Sequence, residues 1–180
     1  GSGGGLWVSG PVTLTQATLL NNLADMGNGG AVYAGGSLLI KDSLLENNVS
    51  LFNSGGGAYA QGHLQIGTTE VVSNSASFRG GGAMGLQGAE VYNSQFLRNR
   101  GAQSGGGLDV EGPLGITSSV FISNTSNAGG GVFHSGFGDG RVVNALFARN
   151  SVSATGGVLQ FNALTGVIDV IHVTMADPGA

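Results

Sequence analysis

The stretch "SQFLRNRGAQSGGGLDV", residues 94–110, joins a Phe-x-x-Asn phrase (Phe96 to Asn99) to a run of three glycines (Gly105 to Gly107). A triple glycine alone fits a phosphate cradle, a flexible linker or a tight turn. Its recurrence decides among them. Residues 118–133 read "SSVFISNTSNAGGGVF", and residues 144–159 read "NALFARNSVSATGGVL". Working outward, the closing asparagines are Asn22, Asn48, Asn74, Asn99, Asn124 and Asn150, spaced by 25 or 26 residues. The apolar residue three before each gives Leu19, Leu45, Val71, Phe96, Phe121 and Phe147, with Met175 as a seventh. The apolar residues that follow the glycine runs are Leu6, Val32, Ala58, Ala83, Leu108, Val132 and Leu159. Three markers share one period, so the chain is a repeat of seven units.

Within a unit the apolar residues alternate at spacing two. Leu114-x-Ile116 is followed by Ser119-x-Phe121, and Leu38-x-Ile40 by Ser43-x-Leu45. Period two means strands with one inward face, and no window carries a useful amphipathic helical pattern. Three short strands are expected per unit: one after the glycines, one in mid-unit and one ending in the Asn phrase. Such a unit cannot close a core alone, whereas stacked units bury a continuous one. The reading is all-β: a parallel β-helix of about seven coils, right-handed because parallel crossovers take that hand. Coil boundaries fall near 1–28, 29–54, 55–79, 80–104, 105–128, 129–155 and 156–180, in a single domain. At roughly 4.8 Å per coil the rod is about 33 Å long. The glycines belong to the sharp corner between coils, where positive φ favours glycine.

Composition agrees. Glycine supplies 36 of 180 residues, yet 41% of the chain is hydrophobic and only 9% charged, the reverse of a disordered sequence. The net charge is −4 and the six basic residues form no stripe, so nucleic acid is not an expected partner. There is no cysteine, hence no disulfide and no thiolate metal site. No apolar run is long enough to span a membrane. The opening "GSGGGLWVSG" lacks the charged and apolar regions of a signal peptide, so any export signal is expected outside this segment.

Units that pair a GGA- or GGG-plus-aliphatic phrase with Phe-x-x-Asn resemble those of the polymorphic outer membrane proteins and related bacterial surface proteins. The matching stretches are "GGAV" at 29–32, "GGGL" at 105–108, "FLRN" at 96–99, "FISN" at 121–124 and "FARN" at 147–150. The resemblance covers nearly the whole chain. It implies a right-handed β-helix, export to the bacterial cell surface, and a role in adhesion or assembly. The first three units depart from it with Leu or Val in the Phe position, and the last ends "MADP" without its Asn.

Asn22, Asn48, Asn74, Asn99, Asn124 and Asn150 are expected to stack as a ladder, each amide bonding the next coil's amide and local backbone, because buried amides need partners. The Phe column is core. "GGGAMG" at 80–85 matches a dinucleotide-binding pattern, but no helix follows to face a phosphate. "GFGDG" at 136–140 occurs once, so it reads as a loop insertion and not as a stack of calcium half-sites. No cofactor or metal is expected.

Parallel β-helices also host pectate lyases and polygalacturonases, whose sites need clustered carboxylates with a base or metal nearby. Ten acidic residues are spread over the seven coils here. Asp109 and Glu111 form the only candidate pair, on one outer face beside Met84 and Phe133. His63, His134 and His172 fall in three different columns, with His134 inward. The chain is therefore expected to be no enzyme; the alternative is a carbohydrate-active or carbohydrate-binding β-helix.

The outer face carries more information. One outward column reads Trp7, Tyr33, Tyr59, Met84, Asp109, Phe133, Gln160. The third strand's outward positions include Leu20, Val72, Leu97, Val120, Ile122 and Leu146. Contiguous apolar surface marks a contact site, although like side chains also steady a sheet by stacking along it. The aromatic column leaves both readings open; the third-strand column favours contact. The expected function is an extracellular or cell-surface structural or adhesive rod. Its expected partners are further copies or adjoining coils of a longer solenoid, or a glycan or surface protein.

Overall fold

The computed structural model describes residues 1–154 and 156–176. It is all-β, with no helix among the described residues. The strands form three seven-stranded sheets and one six-stranded sheet, and every strand pairs in parallel with its equivalent one rung away. This is a parallel β-solenoid of seven rungs, or about six full turns.

The expected first, second and third strands are present. In the fifth rung they are Leu108–Glu111, Leu114–Thr117 and Val120–Ile122. The expectation of three strands per coil was one short. A fourth strand of two residues follows each Asn, as in Arg100–Gly101 and Thr125–Ser126. Its inward residues are small (Ala24, Ser50, Ala76, Gly101, Ser126), so it has neither the length nor the bulk to register as alternation.

That fourth strand accounts for the glycine runs. Only the first glycine of each run has positive φ, for example Gly105 at 59°. The second is held against the fourth strand's backbone: a Cβ on Gly106 would lie 2.6 Å from the Thr125 nitrogen and 2.2 Å from the Gly130 carbonyl oxygen. The third makes room for the core, since a Cβ on Gly107 would come within 3.0 Å of the Phe121 ring. One glycine is therefore conformational and two are steric. The corner between the first and second strands also uses glycine, with Gly88 and Gly112 at positive φ, whereas the corners on either side of the third strand do without it. A single left-handed residue bends the chain there, at Asn93, Ser118 and Asn144 in one column and Ser73, Arg98 and Ser123 in the other.

The core is a continuous column of inward side chains. Val32, Leu38, Ile40, Leu45, Leu64, Ile66, Val71, Leu108 and Ile116 are fully or almost fully buried. Phe96, Phe121 and Phe147 stack with ring centroids 4.7 and 5.0 Å apart. The insertion at "GFGDG" extends the sixth rung's first strand to Val132–Phe137, and the register to its neighbour shifts between Gly136 and Phe137.

Candidate functional site

Three outward features of the sequence were candidates for function: the Asp109–Glu111 pair, the aromatic column and the third-strand column. The structure treats them differently.

Asp109 and Glu111 do share the outer face of the first sheet, beside Met84 and Phe133. Asp109 is nevertheless closed to solvent on that face: it is 0% exposed. Arg79, at the corner before the fourth rung, folds along the sheet and covers it. The Arg79 Nη2 donates to Asp109 Oδ1 at 2.5 Å and its Nε to Oδ2 at 3.2 Å, while Nη1 pairs with Glu111. The Ser104 hydroxyl donates to the same Asp109 carboxylate. Burial raises the Asp109 carboxyl above the ordinary carboxylate range, against the lowering pull of Arg79 and Ser104. A carboxylate with no exposed surface and three hydrogen bonds already accepted is closed to a substrate or a metal. The covering side chain was hard to foresee because Arg79 occupies a column otherwise held by Ser54, Ser104 and Ala128.

Trp7, Tyr33 and Tyr59 stack in offset pairs, with centroids 6.2 and 5.6 Å apart and planes within 6° of parallel. Each ring turns a face toward its neighbour on the next rung. Tyr59, offered above as a contact residue, is 7% exposed, whereas Trp7 is 56% exposed. Same-column stacking holds the inner part of this stripe, and only its first residues and the half-buried Phe133 offer surface.

The third-strand column also divides. Leu20 is exposed, and Leu97, Val120, Ile122 and Leu146 are half-buried and outward. Val72 is 6% exposed, a correction to its assignment as contact surface, because it packs in register between Glu46 and Leu97 on the adjoining strands.

The asparagines are inward, as expected. Asn99 Oδ1 accepts from the Asn74 backbone N–H at 2.9 Å and from its side-chain amide at 3.1 Å. The Asn99 Nδ2 donates to Asn124 Oδ1 at 3.0 Å and to the Val71 carbonyl at 2.8 Å. The same pattern joins Asn22, Asn48, Asn74, Asn99, Asn124 and Asn150. The backbone acceptor lies in the preceding rung and not locally, so each amide from Asn48 to Asn124 ties three rungs together.

A second ladder was not anticipated. Ser43, Thr69, Ser94 and Ser119 hydroxyls each accept the backbone N–H of the preceding rung, at 3.0–3.3 Å, and donate to a carbonyl two residues back. Their signal was the hydroxyl that recurs two residues before Leu45, Val71, Phe96 and Phe121 of the core column. An exposed apolar ridge was also missed. Met26, Phe52 and Phe78 project from the corner before the glycines, 70%, 56% and 44% exposed. They lie outside any strand, so alternation does not mark them.

His134 is fully buried on the inward side, its ring edge against Phe161. Its Nε2 donates to the Gly112 carbonyl at 2.7 Å, and Nδ1 has no partner. His63 and His172 sit in separate corner columns. Among the described residues no three His, Asp or Glu side chains come together as a metal site.

Comparison of the chain with protein-family models, with curated proteins and with solved structures found no match.

Proposed function

We propose that this chain is a non-enzymatic structural or adhesive rod that presents a repetitive contact face, on the exterior of a bacterial cell. The observation that carries this reading is the third sheet: seven strands in unbroken register, with Leu97, Val120, Ile122 and Leu146 half-exposed along adjoining strands. Apolar side chains held side by side over three successive rungs suit contact better than solvation. The surface location rests on the GGA- and Phe-x-x-Asn phrases, whose resemblance to polymorphic outer membrane proteins supplies it. The carbohydrate-active alternative loses its candidate pair, since Asp109 is enclosed by Arg79 and Ser104.

The test has two arms. Incubation with a panel of acidic and neutral polysaccharides should yield no new reducing ends and no unsaturated products. Beads coated with the chain should adhere to cell layers or immobilised glycans, and Leu97→Lys with Ile122→Lys should abolish adhesion with an unchanged circular dichroism spectrum. Turnover of any polysaccharide, lost on Asp109→Asn, would overturn the proposal, as would adhesion indifferent to the lysine pair.

A further inference from the structure

The geometry points to a specific occupant of that face: a second copy of this chain, laid against it with the two rods antiparallel. The inference deepens the contact-face reading and rests on it for the availability of the third sheet.

Charge on this face is segregated along the axis. Glu46 and Glu70 project outward from the second and third rungs. Arg98 on the fourth rung and Arg149 on the sixth stand at the corner where the third sheet ends, and Arg100 lies just past it. These three arginines are half of the chain's six basic residues. None of the five charged side chains forms an ion pair among the described residues; Asp42, at the face's other border, is paired with Lys41. The half that carries the arginines also carries Leu97, Val120, Ile122 and Leu146.

Two copies laid parallel and in register would set glutamate on glutamate and arginine on arginine. Reversing one copy about the middle rung sets Glu46 of each, on the second rung, opposite the corner that carries Arg149 of the other, on the sixth, and the match is made twice because the arrangement is two-fold symmetric; Arg98, on the fourth of the seven rungs, lies at the two-fold beside Leu97. The one-to-one register of all seven third strands keeps each column straight, so the reversed face meets itself without a lateral step. The face is six strand spacings long, about 29 Å, but each strand is only three residues wide. That places the contact at the small end of specific interfaces, below about 1,200 Å² in total. The pair therefore forms at high protein concentration and is weakened by salt, which screens exposed charges.

Sedimentation equilibrium over a concentration series, at low and high salt, tests the pairing. Arg98→Glu with Arg149→Glu makes the face acidic throughout; Glu46→Arg with Glu70→Arg makes it basic throughout. Each variant alone should associate at least tenfold more weakly than the native chain at low salt, and an equimolar mixture of the two should associate again. Orientation is read from single-cysteine variants, since the chain has no cysteine of its own. A bifunctional maleimide should join Thr18→Cys on one copy to Thr174→Cys on another, in preference to like with like. A native chain that stays monomeric, association untouched by both charge variants, a mixture no more associated than its components, or like-with-like cross-linking would each overturn the inference. Polysaccharide turnover would instead remove the non-enzymatic reading and leave this pairing intact.

Discussion

The Oδ1 atom of Asn124 accepts two hydrogen bonds from Asn99, one from its backbone N–H at 2.9 Å and one from its side-chain amide at 3.0 Å. The two residues are 25 apart in sequence and adjacent in space. Through this contact the corner after the third sheet repeats identically from rung to rung, which gives the outer face its straight columns.

Replacing Asn99 with Leu should therefore cost far more than replacing its neighbour. The substitution leaves the Asn74 N–H and amide, the Val71 carbonyl and the Asn124 acceptor short of a partner. Each buried group left unpaired costs about 1–3 kcal/mol, so urea unfolding should show a loss of at least ~3 kcal/mol. Arg98→Ala, at an exposed side chain, should change stability by less than about 0.5 kcal/mol. Equal effects would refute the inward ladder.

Arg79 and Asp109 make a second pair whose members should not behave independently. Arg79→Met strands a fully buried carboxylate, and breaking a buried pair in this way costs about 3–5 kcal/mol. Adding Asp109→Leu should recover most of that loss, because the flanking column residues Met84 and Phe133 are themselves apolar. A double-mutant cycle with additive losses would show that the pair is not coupled.

His134 should give the rod a measurable acid sensitivity. Burial lowers its pKa below the ordinary 6.5, partly offset by the hydrogen bond to Gly112. A group with a depressed folded pKa contributes stability above its unfolded pKa and loses it as pH falls through the folded value. Protonation would also place a proton on Nδ1, which has no acceptor. The denaturation midpoint should fall between about pH 6.5 and lower pH, and His134→Val, matching Val110 in the same column, should flatten that slope. An unchanged slope would assign the effect elsewhere.

The glycines should separate cleanly by place. Gly106→Ala drives a methyl group into the Gly130 carbonyl and the Thr125 backbone and should be strongly destabilising in a thermal melt. Gly115→Ala meets only Glu90 Cγ, at 3.6 Å. There the lower entropy of the unfolded chain should leave stability unchanged or raise it by up to about 1 kcal/mol.

By itself the sequence determined the period, the parallel solenoid, the inward Phe and Asn columns and the inward place of His134. All of these follow from features that recur, and a stacked repeat converts each recurrence into a neighbour one rung away. What does not recur was decided only by the tertiary structure. Arg79 appears once in its column, and nothing local to it points to Asp109, which lies 30 residues on. The fourth strand is too short and too small-sided to alternate, so its close approach to Gly106 appears only when the coil closes. Val72 and Tyr59 stand at outward positions as the pattern requires, yet they are buried, because exposure depends on which side chains the neighbouring rungs place beside them. Alternation assigns a residue to one side of a strand; only the assembled columns set how much water reaches it.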